Sequence, residues 1–278
     1  MELTWLQSLL YGLISGLTDI LPVSGQAHKA LYLNLCGEKT EPAVLSLLLH
    51  LAILAALLQV NHKYLQNLRR QVRLSHVPKR RRKRPLDVRG LMDLSFLKIA
   101  LIPLVLGLLG GVKLAKWNTS LPVCAGFLVL NAAILFLPVL LRSGNKDSRS
   151  MSPLDGLMMG IGGTLGLIPG VSAFGAAASV NLLRGADRSY AVNMALLFQT
   201  ALTAGLILLD LIGIFTGAAG MFTFGILLRY LVAAACAYGG VLAAVKLVRS
   251  LAEHSSFQIF AFYSVGAALF TFIFYLSM

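Results

Sequence analysis

The sequence predicts an all-α polytopic membrane protein, with six transmembrane helices and two re-entrant helical hairpins arranged as an inverted-topology repeat. Three observations carry the prediction. First, the 278 residues are 57% hydrophobic and only 13% charged, with a mean hydropathy of +0.79; a soluble domain carries roughly 25% charged residues. Second, six apolar segments reach the roughly 20 residues that a hydrocarbon core about 30 Å thick demands. Third, two further apolar regions are broken by a polar seam, and each precedes a group of three spans.

The first broken region covers residues 3–35, and its seam reads Gly16-Leu17-Thr18-Asp19-Ile20-Leu21-Pro22-Val23-Ser24-Gly25-Gln26-Ala27-His28. A proline removes a backbone donor and breaks a helix. In hydrocarbon a broken helix survives only where it is buried in protein or lines a polar cavity. The region is therefore expected to enter the membrane and return. Spans follow at 43–60, 95–112 and 121–141. The second broken region, 154–183, holds the seam Gly163-Thr164-Leu165-Gly166-Leu167-Ile168-Pro169-Gly170-Val171-Ser172-Ala173-Phe174-Gly175, and spans follow at 190–211, 224–248 and 257–276. Paired interruptions in corresponding positions of two halves point to a substrate site near the membrane midplane. The chain is thus expected to form a single membrane domain over 1–278, with repeats at 1–141 and 154–278.

Orientation follows from the basic loops. Eleven of the 24 Lys and Arg residues fall between Asn61 and Gly90, so this loop is expected to be cytoplasmic. Its core, Lys79-Arg80-Arg81-Arg82-Lys83-Arg84, lies between two spans. There it reads as a topology anchor that attracts anionic lipid headgroups, and no nucleic-acid partner is expected. Arg142, Lys146, Arg149, Arg184, Arg188, Lys246 and Arg249 then fall inside, while Glu38, Glu41 and the uncharged stretch 217–221 fall outside. On this count the first half starts outside and the second inside. The segment before the first seam has Glu2 and no basic region, which argues against a cleaved signal peptide. Cys36, Cys124 and Cys236 are scattered and show neither metal spacing nor a disulfide framework.

Ionisable groups within apolar stretches are costly and mark functional sites by default. Asp19 and Asp210 are the two acids so placed. Asp210 lies near a span end, where an ion pair with Arg229 on the next span is its expected role. Asp19 sits in the first seam. Its carboxylate can bind a divalent cation on a phosphate, move a proton, or serve as a protonated structural acid. His28 follows across the Pro22 break and can act as general acid or base. Lys29 can add positive charge or snorkel to the interface. Ser24 and Ser172 can donate to phosphate oxygens, and a serine near a histidine can be a nucleophile. Gly25, Gly170 and Gly175 let backbone N–H groups point at an anion. Gln199 and Asn193 face either the cavity or a neighbouring helix.

At these seams the chain resembles the undecaprenyl-diphosphate phosphatase family, also known for bacitracin resistance. The family's first motif reads roughly E-G-x-T-E-x-L-P-[VI]-S-S-x-x-H, against Ser15 to His28 here, and its second roughly P-G-x-S-R-S-G, against Pro169 to Gly175. The resemblance implies a hydrolase in a bacterial plasma membrane, which converts a polyprenyl diphosphate to the monophosphate plus phosphate in cell-wall lipid carrier recycling. It implies a divalent cation, Mg²⁺ or Ca²⁺, held by Asp19. Ser24 would be the nucleophile and His28 the acid or base. Thr18, Gly25, Gly170, Ser172 and Gly175 would bind substrate. The chain departs from the motifs at Ser15 and Asp19 for two glutamates, Gly25 for the second serine, Ala173 for the arginine and Phe174 for its serine neighbour. Arginine is the natural bidentate partner of a diphosphate, so weak hydrolysis is expected, with Phe174 crowding any restored arginine. The rival reading is a non-catalytic polyprenyl-phosphate carrier of the same fold.

Overall fold

A computed structural model describes residues 3–38, 40–81, 85–111, 120–140, 144–218, 223–254 and 257–278. Among these residues the chain forms eleven α-helices: α1 (Trp5–Ile20), α2 (Gly25–Leu35), α3 (Ala43–Val60), α4 (His62–Ser75), α5 (Val88–Gly111), α6 (Leu121–Phe136), α7 (Pro153–Thr164), α8 (Ala173–Leu183), α9 (Arg188–Gly213), α10 (Phe224–His254) and α11 (Gln258–Ser277). The β pairing among them is one isolated bridge, Lys146 to Ala186.

Six helical segments are long and apolar enough to cross a membrane: Ala43–Val60, Val88–Gly110, Leu121–Leu140, Arg188–Thr216, Phe224–Leu251 and Gln258–Ser277. They are the six spans expected from the sequence. The ends of two predicted spans, Val112 and Leu141, lie outside the described residues, as do Arg82, Lys83, Arg84 and Arg142. α5 starts at Val88 rather than at residue 95, and Asp93 within it is hydrogen-bonded inside the fold: Tyr64 donates to one of its oxygens, and Tyr190 to the other at 3.2 Å. α4 was not expected; the stretch is too basic to read as a span, and it forms an amphipathic helix instead.

Side-chain caps start the short helices. Thr4 and Gln7 form a reciprocal capping box at α1, and Ser152 and Asp155 form another at α7. Ser24 caps α2 and Ser172 caps α8. Each such cap contributes about 1 kcal/mol. The members of each short pair pack on one another, α1 on α2 and α7 on α8. Their far ends also meet. Tyr32 on α2 donates to the Gln7 carbonyl of α1 at 3.1 Å, and Arg184 after α8 pairs with the buried Asp155 of α7 at 2.5 Å.

Small residues let the short helices lie against spans. A Cβ added to Gly16 would stand 2.1 Å from the Ala237 carbonyl oxygen of α10, and one added to Gly160 would stand 2.2 Å from the Ala100 carbonyl oxygen of α5. Gly12 and Gly156, one turn earlier, meet Ala233 and Phe96 in the same way. Both are small-xxx-small contacts, the usual route to close backbone approach between membrane helices. α3 packs on α9 and α10, and α6 packs on α11.

Polar side chains inside the bundle are paired differently from the expectation for Asp210. Asp210 accepts from Ser46 at 2.9 Å and lies 2.6 Å from His50 Nδ1. Its pairing with Arg229 is not formed; Arg229 donates to the Leu3 carbonyl at 2.7 Å. α3 packs directly on α9 and presents Ser46 and His50 to the acid, while Arg229 on α10 turns to the start of the chain. Lys29 forms an ion pair with Glu41 at 3.0 Å, so its head is neither free nor snorkelling.

Candidate functional site

The two proline turns meet. The Gly170 N–H donates to Ser24 Oγ at 3.1 Å, and Ser172 Oγ donates to the Leu21 carbonyl at 3.4 Å. Asn131 on α6 joins them: its Nδ2 donates to the Pro22 carbonyl at 3.1 Å, and its Oδ1 accepts from the Ser172 N–H at 2.9 Å. The same Nδ2 lies 3.1 Å from Ser264 Oγ on α11. Gly170 is required here, since its φ is +102° and a Cβ would stand 2.5 Å from the Phe127 Cβ. Ser24 is the one non-glycine residue with positive φ among the described residues, at 65°. Such a conformation costs on the order of 1–3 kcal/mol and persists where the surroundings fix it.

The junction brings two helix N-termini together, those of α2 and α8. Their first-turn N–H groups lack intrahelical acceptors and carry the positive end of the helix dipole. Beside them lies a small cavity of about 20 Å³, lined by Asp19, Gly25, Gln26, Ser172, Ala173 and Gln199 among others. Gln199 Nε2 donates to Asp19 Oδ2 at 2.9 Å. The side-chain oxygens of Gln26 and Gln199 are buried without a hydrogen-bond partner among the described residues. An unpaired buried acceptor is costly, so two of them beside a carboxylate make a site built for a donor or a cation.

Of the residues predicted for the site, Asp19, Gly25 and Ser172 line the cavity, and Ser24 and Gly170 bond to each other at its edge. Gly175 serves packing: a Cβ there would stand 2.7 Å from that of Pro22. Thr18 is not among the residues lining the cavity, and its hydroxyl donates to the Ile14 carbonyl of its own helix at 2.7 Å. His28 also faces elsewhere. Its Nδ1 lies 2.8 Å from the Ser24 carbonyl and its Nε2 lies 2.8 Å from Tyr263 Oη. A carbonyl only accepts, so Nδ1 carries the proton and Nε2 accepts from the tyrosine. The expected Ser24–His28 nucleophile–base pair is therefore not formed. Sequence reasoning missed Asn131, although a lone asparagine in a uniformly apolar span was a visible signal, and it missed Gln26 and Tyr263.

A sequence model of the family described as bacitracin resistance protein BacA matches residues 8–270, which include both turns and every cavity residue. The chain belongs to this family. Among its relatives, an undecaprenyl-diphosphatase of Nocardioides sp. is 30% identical over 205 residues, covering 72% of each chain. One of Desulfosudis oleivorans is 28% identical over 266 residues, 93% of this chain and 94% of the relative. One of Methanobrevibacter smithii is 27% identical over 267 residues, 93% of each. Ala173, which stands where the motif quoted for the resemblance carries arginine, is on the cavity wall. Its neighbour Phe174 is fully buried, with its ring 6.3 Å from that of Phe257. Phe174 therefore packs toward α11 and is not among the residues lining the cavity.

Proposed function

We propose that the chain hydrolyses undecaprenyl diphosphate, or a closely similar polyprenyl diphosphate, to the monophosphate and inorganic phosphate. The observation that carries this reading is the junction of the α2 and α8 N-termini beside the single carboxylate of Asp19. The first-turn N–H groups that the serine caps leave free, and the Ser24 hydroxyl, whose oxygen accepts from Gly170 while its proton is uncommitted, suit phosphate oxygens. Asp19 is the group placed to take a proton from water as that water attacks the terminal phosphorus. The bridging P–O bond breaks, and the monophosphate leaves with its oxygen. With Ala173 in the arginine position, one donor to the developing charge is missing, and hydrolysis is expected to be slow.

A hard divalent cation prefers oxygen ligands, and Mg²⁺ commonly uses one or two carboxylates together with substrate phosphates. Asp19 and the unpartnered oxygens of Gln26 and Gln199 fit such a cation. No group of three His, Cys, Asp or Glu side chains is assembled among the described residues, so the remaining ligands would come from phosphate and water. A bound cation would neutralise charge on the phosphate oxygens.

The test is phosphate release from undecaprenyl diphosphate by purified protein, with and without Mg²⁺ or Ca²⁺. Asp19→Asn is expected to lower the rate by roughly a hundredfold or more, the usual scale for a general base, and to remove cation dependence. An unchanged rate would place the chemistry elsewhere. Lipid-phosphate binding without any hydrolysis would favour the carrier reading.

The same proposal includes two re-entrant hairpins in an inverted repeat in a bacterial plasma membrane. It is supported by the meeting ends of each short pair and by the exchange of partners, α1 with α10 and α7 with α5. The loops expected inside also keep company. Lys63, Ser189 and Arg249 line one cavity, Arg89 lies 4.0 Å from Asp147, and the Asp187 N–H donates to the Lys146 carbonyl at 2.8 Å. A single cysteine placed at Arg82 is expected to react with a membrane-impermeant reagent only after the cells are opened. Labelling of intact cells at that position would reverse the orientation.

A further inference from the structure

We propose that α4 and Asp87, just before α5, form a binding site for the phosphate headgroup of an anionic membrane lipid, separate from the cavity at Asp19. A cavity of about 580 Å³ opens between Lys63, Gln66, Asn67, Arg69, Arg70, Arg73 and Asp87. Four cations and one carboxylate leave it with a surplus of three positive charges. Arg69 and Arg73, four residues apart, repel one another along the helix, as do Arg70 and Arg73, three apart. A bridging anion relieves both.

The floor of the site is built rather than incidental. Gln71, 1% exposed, accepts from the Asp87 N–H at 2.9 Å and donates to Asn67 Oδ1 at 3.2 Å. Asn67 Nδ2 donates to Asp87 Oδ2 at 3.0 Å. The carboxylate is thereby tied to α4, and the Asn67 hydrogen bond, ahead of the opposing desolvation, holds its pKa below the ordinary value. Asn67 Oδ1 also accepts from Arg70 Nη2 at 2.9 Å, which steadies that guanidinium and leaves its other N–H groups for a ligand. Lys63, Arg69 and Arg73 have no ion-pair or hydrogen-bond partner among the described residues. Arginine forks match phosphate oxygens in pairs.

The occupant is a lipid because apolar surface continues from the charged site. Val72 on α4 and Val88 and Met92 on α5 are exposed at 36%, 55% and 40%, and Val88 directly follows Asp87. Acyl chains have a path along α5 below a headgroup held by the arginines. Among the described residues α4 has no α-helical counterpart between α9 and α10. Its buried face consists of Leu68 and Gln71.

The experiment uses the full chain, stripped of lipid in detergent and incubated with phosphatidylglycerol or phosphatidylcholine, with bound lipid read by native mass spectrometry. The wild type is expected to retain phosphatidylglycerol in preference. Arg69→Gln with Arg70→Gln and Arg73→Gln is expected to weaken retention by roughly a hundredfold, about fivefold for each surface charge removed. Arg80→Gln with Arg81→Gln, in the same basic loop but outside the cavity, is expected to keep the preference. Unchanged helicity by circular dichroism shows that the variants are folded, and Arg→Lys at the same three positions should lose part of the binding, since lysine keeps the charge but not the paired donors. Equal loss in the Arg80 and Arg81 variant would overturn the proposal in favour of diffuse attraction. Full displacement of the lipid by millimolar inorganic phosphate would overturn it in favour of a soluble-anion site.

Discussion

Gly16→Ala and Gly160→Ala should each cost the fold heavily, whereas Gly126→Ala should not. At Gly16 and Gly160 the added carbon meets the carbonyl of a packed neighbour helix at 2.1 and 2.2 Å. The obstacle is backbone, so no rotamer change relieves it and the two helices must separate. Inserting even one carbon into a tight contact costs roughly 1–3 kcal/mol where side chains can yield. A rigid backbone contact belongs at or above the top of that range. Gly126, also helical, has nothing within 4 Å of an added Cβ, and alanine there gains up to about 1 kcal/mol in helix propensity. Thermal unfolding in detergent reads all three. Equal melting temperatures for Gly16→Ala and Gly126→Ala would mean that α1 and α10 do not lie as close as described.

Installing the side chains that the motifs quoted for the resemblance carry at two positions, Gly25→Ser together with Ala173→Arg, should raise the rate of diphosphate hydrolysis by roughly a hundredfold or more, the scale for one preorganised donor to developing charge. A Cβ on Gly25 would stand 3.3 Å from the Asp19 Cα and N and 3.4 Å from Oδ1. The fit is tight, but a shift of a few tenths of an ångström accommodates it, and the new hydroxyl arrives beside the carboxylate. Position 173 borders the same cavity, where Gln199 now donates to Asp19. An arginine there would compete for that carboxylate until a diphosphate claimed the guanidinium. Phe174 should be left in place. The crowding expected from the sequence is not supported, and Phe174→Ser would instead open a cavity against Phe257, at a cost of roughly 3–5 kcal/mol. A folded double variant with no gain in phosphate release would sink the assignment of this cavity as the reaction site.

The sequence carried the membrane layout well, because chain length and apolar composition act locally. The span at 43–60 was found with both its ends, flanked as it is by Pro42 and Asn61. The start of α5 was missed because Asp93 interrupts the apolar run, and its hydrogen bonds from Tyr64 and Tyr190 come from residues far from it in sequence. α4 was missed because a run of arginines reads as a loop when only hydropathy is followed. The turns at Pro22 and Pro169 were legible as breaks, and their meeting followed from the paired seams. Side-chain aim was not legible. His28 faces Tyr263, a residue 235 positions away in sequence, and Asp210 chose His50 over Arg229 because periodicity gives depth in the membrane but not the neighbouring helix.

Asn131 gives the two turns a shared fate. One buried amide holds the Pro22 carbonyl and the Ser172 N–H at once and touches Ser264 on α11. Lifting α6 away from either turn removes its support from the other. The α1–α2 pair at the start of the sequence and the α7–α8 pair near its middle therefore open as one cooperative unit. Slow amide exchange should register them together: the Gly170 and Ser172 N–H protons share a single protection factor, and Asn131→Leu lowers both in parallel.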